Sequence, residues 1–291
     1  MRVYGSDAIR NVAFVGHGGS GKTTLVDALA FVSGASRRHG NIKDGTTLTD
    51  YTPDEIARQH SISLGLAYAE WMDTKLNLLD TPGYLDFFGE VVTGLHAADA
   101  AVVVVSGVSG VEVGTEKAWE VCDRLHLPRL IFVGQMDKEH ANFERVFADV
   151  KAHLSPKVLP VEVPIGEGST FRGIVNLFSG KSHIYKPGTK SGEYDEVEVP
   201  AEHQAEVKKY SDLLIETVAA TDDALIERYL GGEEIPREEV IAALKTAVVA
   251  GSIVPLFVGS ATLTFGMRAL LTKMVEIFPA AADVPPPVDA P

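Results

Sequence analysis

The residues best placed to do chemistry lie in Gly16-His17-Gly18-Gly19-Ser20-Gly21-Lys22-Thr23, a Gly, four free positions, then Gly-Lys-Thr. A loop of this kind cradles phosphate. Its glycines let backbone N–H groups curl around the anion, and the helix behind it adds partial positive charge from its N-terminus. Lys22 would reach the β- and γ-phosphates, and the Thr23 hydroxyl would bind Mg²⁺. Gly18, Gly19, Ser20, Gly21 and Thr24 complete the candidate phosphate contacts. His17 either titrates beside the phosphates or faces solvent or a neighbouring backbone. A second cluster is Asp80-Thr81-Pro82-Gly83-Tyr84. A carboxylate at the carboxyl end of a strand near a phosphate loop is where Mg²⁺ is held, and Gly83 allows a backbone N–H close to a γ-phosphate. Asp137, within Gly134-Gln135-Met136-Asp137-Lys138, sits at a strand's carboxyl edge, where a base can be read.

These clusters need elements to hold them. The apolar run Val12–Val15 reads as a buried strand entering the loop, and Thr24–Val32 as the helix leaving it. Ser33–His60 is polar and glycine-bearing, and a loop this long is functional or mobile. Ser61–Trp71 and Thr74–Leu79 read as a hairpin turning at Met72-Asp73-Thr74. Ala100–Val105, Leu130–Val133 and Val254–Val258 are unbroken apolar strands, as in a parallel sheet buried on both faces. Helical patterns cover Glu112–Leu125, Asn142–Leu154 and about Thr264–Phe278. Strand followed by helix, repeated, predicts an α/β fold with a mainly parallel sheet flanked by helices. Between Lys157 and Gly251 the character changes. Short β runs (Val161–Ile165, Phe171–Leu177, Lys181–Tyr185, Val197–Val199) precede helices from Ala201 that break at Gly231-Gly232 and Pro236, an inserted α+β subdomain.

The net charge of −14 argues against nucleic acid held by a general basic surface, though not against a local contact to RNA. No apolar run spans a bilayer, and the start lacks a signal peptide's pattern. The single cysteine, Cys122, shares helical spacing with Trp119 and Leu125 and reads as core; a chain with no disulfide suits the cytoplasm.

With those residues in view, the chain resembles translational GTPases, and more narrowly elongation factor G and its elongation factor G-like relatives. Five segments carry the resemblance in order: Gly16–Thr23, Ser61 with its flanks, Asp80–Gly83, Asp137, and Ser260-Ala261. The flanking text Asp44-Gly45-Thr46-Thr47, Thr49-Asp50-Tyr51 and Tyr84-Leu85-Asp86-Phe87 is similar too. The resemblance implies a P-loop NTPase fold with GTP/GDP and Mg²⁺ as ligands. Thr23, Ser61 and Asp80 would hold the metal, Gln135, Asp137, Ser260 and Ala261 would lie around the nucleoside, and Lys22, Gly83 and Tyr84 would act at the γ-phosphate. It implies a monomer that meets the ribosome and no membrane. Domain limits follow: 1–156 and 254–282 for GTP binding, 157–253 for the insert, and a Pro-rich linker at 283–291 leading to domains beyond this chain. The departures bear on mechanism. Gly134 and Gln135 replace the Asn and Lys of Asn-Lys-x-Asp, so the tie from this strand to the phosphate loop would be lost. Tyr84 stands where the family has a water-positioning His, and Gly19 where many members have Asp. A neutral phenol is a poor base at pH 7, so slow hydrolysis is expected. A nucleotide-gated module with little turnover and an ATPase without guanine selectivity remain as alternatives.

Overall fold

The computed structural model describes residues 2–186, 188–189 and 191–284. The expected proline-rich linker therefore falls largely outside the described residues. The chain opens with β1 (Ile9–Val15), α1 (Lys22–Val32) and α2 (Pro53–Arg58), followed by β2 (Gly65–Trp71), β3 (Thr74–Asp80) and α3 (Phe88–His96). Next come β4 (Ala100–Ser106), α4 (Val113–Arg124), β5 (Arg129–Gly134) and α5 (Phe143–His153). The strands β6 (Val158–Pro160), β7 (Glu162–Ile165), β8 (Gly173–Asn176), β9 (Lys181–Tyr185) and β10 (Tyr194–Glu198) lead to α6 (Gln204–Ala219), α7 (Asp223–Leu230) and α8 (Arg237–Val249). The described chain ends with β11 (Val254–Val258) and α9 (Met267–Ile277).

Seven strands form one sheet in the order β2-β3-β1-β4-β5-β11-β6. All its pairs are parallel except the β2–β3 hairpin. Every residue of β4 is buried, which requires helices on both faces and explains its unbroken run of Ala and Val. The expected P-loop fold is what the chain forms. The phosphate loop and the ends of β3, β5 and β11 all open on the carboxyl edge of this sheet, where such folds bind ligands.

The insert is the antiparallel sheet β10-β9-β8-β7 together with α6, α7 and α8. Its first strand, expected over Val161–Ile165, is Glu162–Ile165. Val158–Pro160 pairs with β11 in the main sheet, and the crossing to the second sheet comes at Val161, whose amide donates to the Leu256 carbonyl. The two sheets are joined by a buried carboxyl. Glu162, on β7, is buried, and burial pushes its pKa up to about 8, with the nearby Val258 amide and Lys273 opposing.

Two further elements differ from expectation. Ser61–Leu64 is not strand, because side chains take up its amides: Ile62 and Ser63 donate to Glu55 at 3.1 and 3.2 Å, and Leu64 donates to Glu90 at 2.8 Å. The stretch read as one long loop contains α2, started by a capping box in which Thr52 and Glu55 satisfy each other's backbone amides, with Pro53 at the first turn. The rest of that stretch is packed down rather than loose. Asp27 of α1, almost fully buried, accepts from the amides of Gly40 and Leu48. Cys122 is wholly buried, and burial raises its thiol pKa to about 11, so the core assignment stands.

Candidate nucleotide site

The loop between β1 and α1 needs its glycines for position. Gly16 has φ 145°, and a Cβ there would lie 2.3 Å from the Val104 carbonyl oxygen. Gly21 caps α1 at φ 97°, in the left-handed region. Lys22, the first residue of α1, is buried and donates from Nζ to the carbonyls of Gly16 (3.0 Å) and His17 (2.9 Å). Burial lowers its pKa to about 8, with Asp80 and Asp50 opposing.

Beside it, oxygens converge. The Thr23 and Ser61 hydroxyls are 3.0 Å apart. Asp80, at the end of β3 and 1% exposed, accepts from Thr49 on one oxygen, while its Oδ1 has no partner. Burial raises the Asp80 pKa to about 6, with Asp50 adding to the rise and the Thr49 hydrogen bond and Lys22 opposing it. Asp50 is 4% exposed, and neither of its carboxylate oxygens is hydrogen-bonded. Buried carboxylate oxygens without partners carry a large desolvation penalty unless a cation meets them. Two hydroxyls and two carboxylates in one spot are the hard oxygen donors that suit Mg²⁺ with its retained waters. The donor set fits that ion.

One cavity gathers Gly18, Gly19, Gly21, Lys22, Thr23, Thr24, Ser61, Gly83 and Tyr84. It also includes Asp50, Gln59 and His60, which sequence reasoning did not assign. Asp50 could have been flagged there, since it stands between two hydroxyl residues in text already singled out. Gly83 approaches the loop so closely that a Cβ on it would lie 2.6 Å from the Gly18 amide nitrogen. The Tyr84 ring covers Gly18, where a Cβ would meet it at 3.0 Å.

A second, adjoining cavity is lined by Ser20, Gly21, Thr24, Phe132, Gln135, Asp137 and Ala261, among others. The amide of Met136 donates to the Gly259 carbonyl (3.2 Å), locking the Asp137 loop to the Ala261 loop. The chain after β5 turns at Gln135, whose φ of 62° is left-handed.

This geometry decides between the two readings of His17 and corrects two other expectations. His17 does not face the phosphate cavity. Its Nδ1 accepts from the Gly114 amide (3.2 Å) and its Nε2 lies 3.5 Å from Glu112, so the ring pins the loop to the start of α4. Ser260 is fully buried and its amide is spent on the Phe265 carbonyl (3.0 Å), which leaves Ala261 as the lining residue of that pair. The tie thought lost with Gly134 is supplied by its neighbour: Gln135 Nε2 donates to the Gly19 carbonyl (2.9 Å), and its Oε1 accepts from the Ser106 hydroxyl (2.8 Å).

A phosphate loop, a hard-cation donor set and a carboxylate-bearing pocket thus share one sheet edge. The family model for the elongation factor Tu GTP binding domain matches residues 7–280. The chain belongs to that family. A solved structure from Thermus thermophilus is similar over 95% of this chain, with a TM-score of 0.87 and 39% sequence identity. This G domain covers 41% of that protein, so it spans less than half the length of the chain it matches. Elongation factor Tu-type G domains are GTPases as a family, and guanine nucleotide binding by this G domain follows from membership. Among the described residues, no helix is long and apolar enough to cross a membrane.

Proposed function

We propose that this G domain binds GTP and GDP with Mg²⁺ and hydrolyses GTP slowly to GDP and phosphate. One observation carries the reading: Lys22, Thr23, Asp50 and Ser61 line one cavity, and the buried carboxylates of Asp50 and Asp80 keep oxygens there that no protein donor meets. Gly18, Gly19, Ser20, Gly21, Lys22 and Thr24 would bind the phosphates. Thr23, Ser61 and Asp80 would hold Mg²⁺, with Asp50 behind them. The metal would neutralise charge on the β- and γ-phosphate oxygens. Asp137 would accept from the guanine N1–H and 2-amino group, and Ala261 would offer its backbone to O6. Lys22, released from the Gly16 and His17 carbonyls, would meet the β- and γ-phosphates.

Slow turnover is inferred from Tyr84. It takes the place after Gly83, is 43% exposed, and presents a phenol that is a poor proton acceptor at neutral pH. The same observation supports the second reading, a module whose switch segments report nucleotide occupancy to a partner with little turnover. We further propose a cytoplasmic protein that acts as a monomer and has the ribosome as partner. Its nucleotide-binding body would comprise 1–160 and 254–282, which moves the insert's first residue to Val161.

Fluorescent GDP binding to the wild type and to Lys22→Ala tests the site. The variant is expected to lose at least a hundredfold in affinity, and unchanged affinity would refute the assignment. Single-turnover hydrolysis of bound GTP, with and without ribosomes, separates the two readings.

A further inference from the structure

We propose that Lys138 binds the α-phosphate of the guanine nucleotide and supplies the positive charge that Gln135 lacks. This deepens the nucleotide-binding reading and rests on it. The base cavity and the phosphate cavity meet at a neck, and Gly21, Thr24, Gln135 and Lys138 line both. A nucleoside diphosphate with its base at Asp137 and its terminal phosphate at Lys22 crosses that neck with its ribose and α-phosphate. Of the four neck residues, Lys138 alone carries a charge.

The two walls of the neck stand close together. Gly21 and Thr24 belong to the start of α1, and Gln135 and Lys138 to the loop after β5. A Cβ on Gly21 would lie 3.5 Å from Gln135 Nε2. Gln135 itself has little to offer a ligand. It is uncharged, and its amide is engaged at one end by the Gly19 carbonyl and at the other by the Ser106 hydroxyl.

Backbone bonds set Lys138 in place. Its amide donates to the Gln135 carbonyl (3.0 Å), and its carbonyl accepts from the Ala141 amide (3.1 Å). The inserted subdomain braces the same turn, since the Gly168 amide donates to the Met136 carbonyl (2.8 Å). With both backbone groups taken up in this way, what Lys138 has left for a ligand is its ammonium. That group is a compact charge with three rotatable donors on a flexible stem, suited to a single phosphate oxygen.

Charge balance points the same way. The chain carries a net charge of −14, and Asp50 and Asp137 line the two cavities. Among the described residues, Lys22 and Lys138 are the only lysines or arginines that line them. Arg37 and Arg38 line a separate cavity. Lys22 and the cation donor set serve the terminal phosphates, which leaves the α-phosphate to Lys138.

The test is titration of fluorescent GDP with Mg²⁺ on the wild type, Lys138→Met, Lys138→Gln and Lys138→Arg, each at low and at high KCl. Lys138 is exposed, so these changes should leave the fold intact, and unchanged urea unfolding verifies it. At low salt the two neutral variants should bind about tenfold more weakly, near the lower end of what a hydrogen bond to a charged group supplies. Lys138→Arg keeps the charge and should stay within about threefold of wild type. Raising KCl from about 0.1 M to about 1 M shortens the Debye length from about 10 to about 3 Å, so the gap between wild type and the neutral variants should narrow to about threefold or less. Neutral variants that bind as tightly as wild type at low salt would overturn the proposal. So would a loss that is equal at both salt concentrations, or one that Lys138→Arg shares, since either marks a structural role. A wild type that binds no GDP, or one whose affinity survives Lys22→Ala, would instead overturn the nucleotide site, and this proposal with it.

Discussion

Gln135 is the residue through which the guanine side of the site holds the phosphate side. Its amide spans two elements, donating to the Gly19 carbonyl at 2.9 Å and accepting from Ser106 at 2.8 Å. Gln135→Ala removes both bonds. Each is worth about 0.5–1.5 kcal/mol net, and the one to Gly19 is the more exposed of the two. The Ser106 hydroxyl, which is buried, also loses the acceptor of its proton. A total of about 1–2 kcal/mol is then no longer present to hold the phosphate loop in its binding shape, and it must come from the nucleotide. GDP affinity should fall about 5–30-fold. Backbone strain provides an internal control. Gln135 sits at φ 62°, which Ala tolerates as poorly as Gln does, whereas Gly adopts it freely. Gln135→Gly should therefore unfold at higher urea than Gln135→Ala, by about 1 kcal/mol, while binding GDP just as weakly. Fluorescent GDP titration and urea unfolding on both variants measure the two effects separately. If Gln135→Ala binds GDP as tightly as wild type, the side chain does not preorganise the loop and the reasoning fails.

Asp27→Ala should release residues 40–48, since two backbone amides lose a buried carboxylate acceptor. Faster hydrogen exchange there and a stability loss of about 2 kcal/mol or more are expected, and unchanged protection would contradict it. Glu162 holds its proton up to about pH 8 in the folded state but only to the ordinary carboxylate range when unfolded. The unfolded chain thus binds fewer protons in between, and this group makes stability fall as pH rises from about 4.5 to about 8. Glu162→Gln keeps the shape and a carbonyl oxygen of the side chain without the titration. Its stability relative to wild type should climb across that window, by no more than about 1.4 kcal/mol per pH unit, and then level off. Parallel unfolding curves at pH 5 and pH 8 would show that Glu162 is not the source.

The sheet was legible because its strands are short apolar runs with no competing period. Val12–Val15, Ala100–Val105 and Val254–Val258 all lie in interior strands of the sheet. The phosphate loop was legible because its glycines answer a local demand on φ and space. What failed depended on partners far along the chain. Ser61–Leu64 reads as strand until Glu55 and Glu90 take its amides. Ser260 reads as a donor until Phe265 takes its amide. Nothing in Gly134-Gln135 says that the second residue can do what the first cannot, since that depends on a left-handed turn seen only in three dimensions. The helix α2 is a different matter. Thr52-Pro53-Asp54-Glu55 is a capping box with proline at the first position, written plainly in the sequence.

The central claim, a guanine nucleotide site, is tested most directly by competing GDP against ADP for one fluorescent guanine nucleotide on a single preparation with Mg²⁺. Asp137 facing adenine would lose its two donors and stand unpaired beside the base, a cost of about 1–3 kcal/mol. GDP should therefore displace the probe at a concentration about 5–150-fold lower than ADP. Equal potency of GDP and ADP would show that Asp137 does not read the base and would contradict the account.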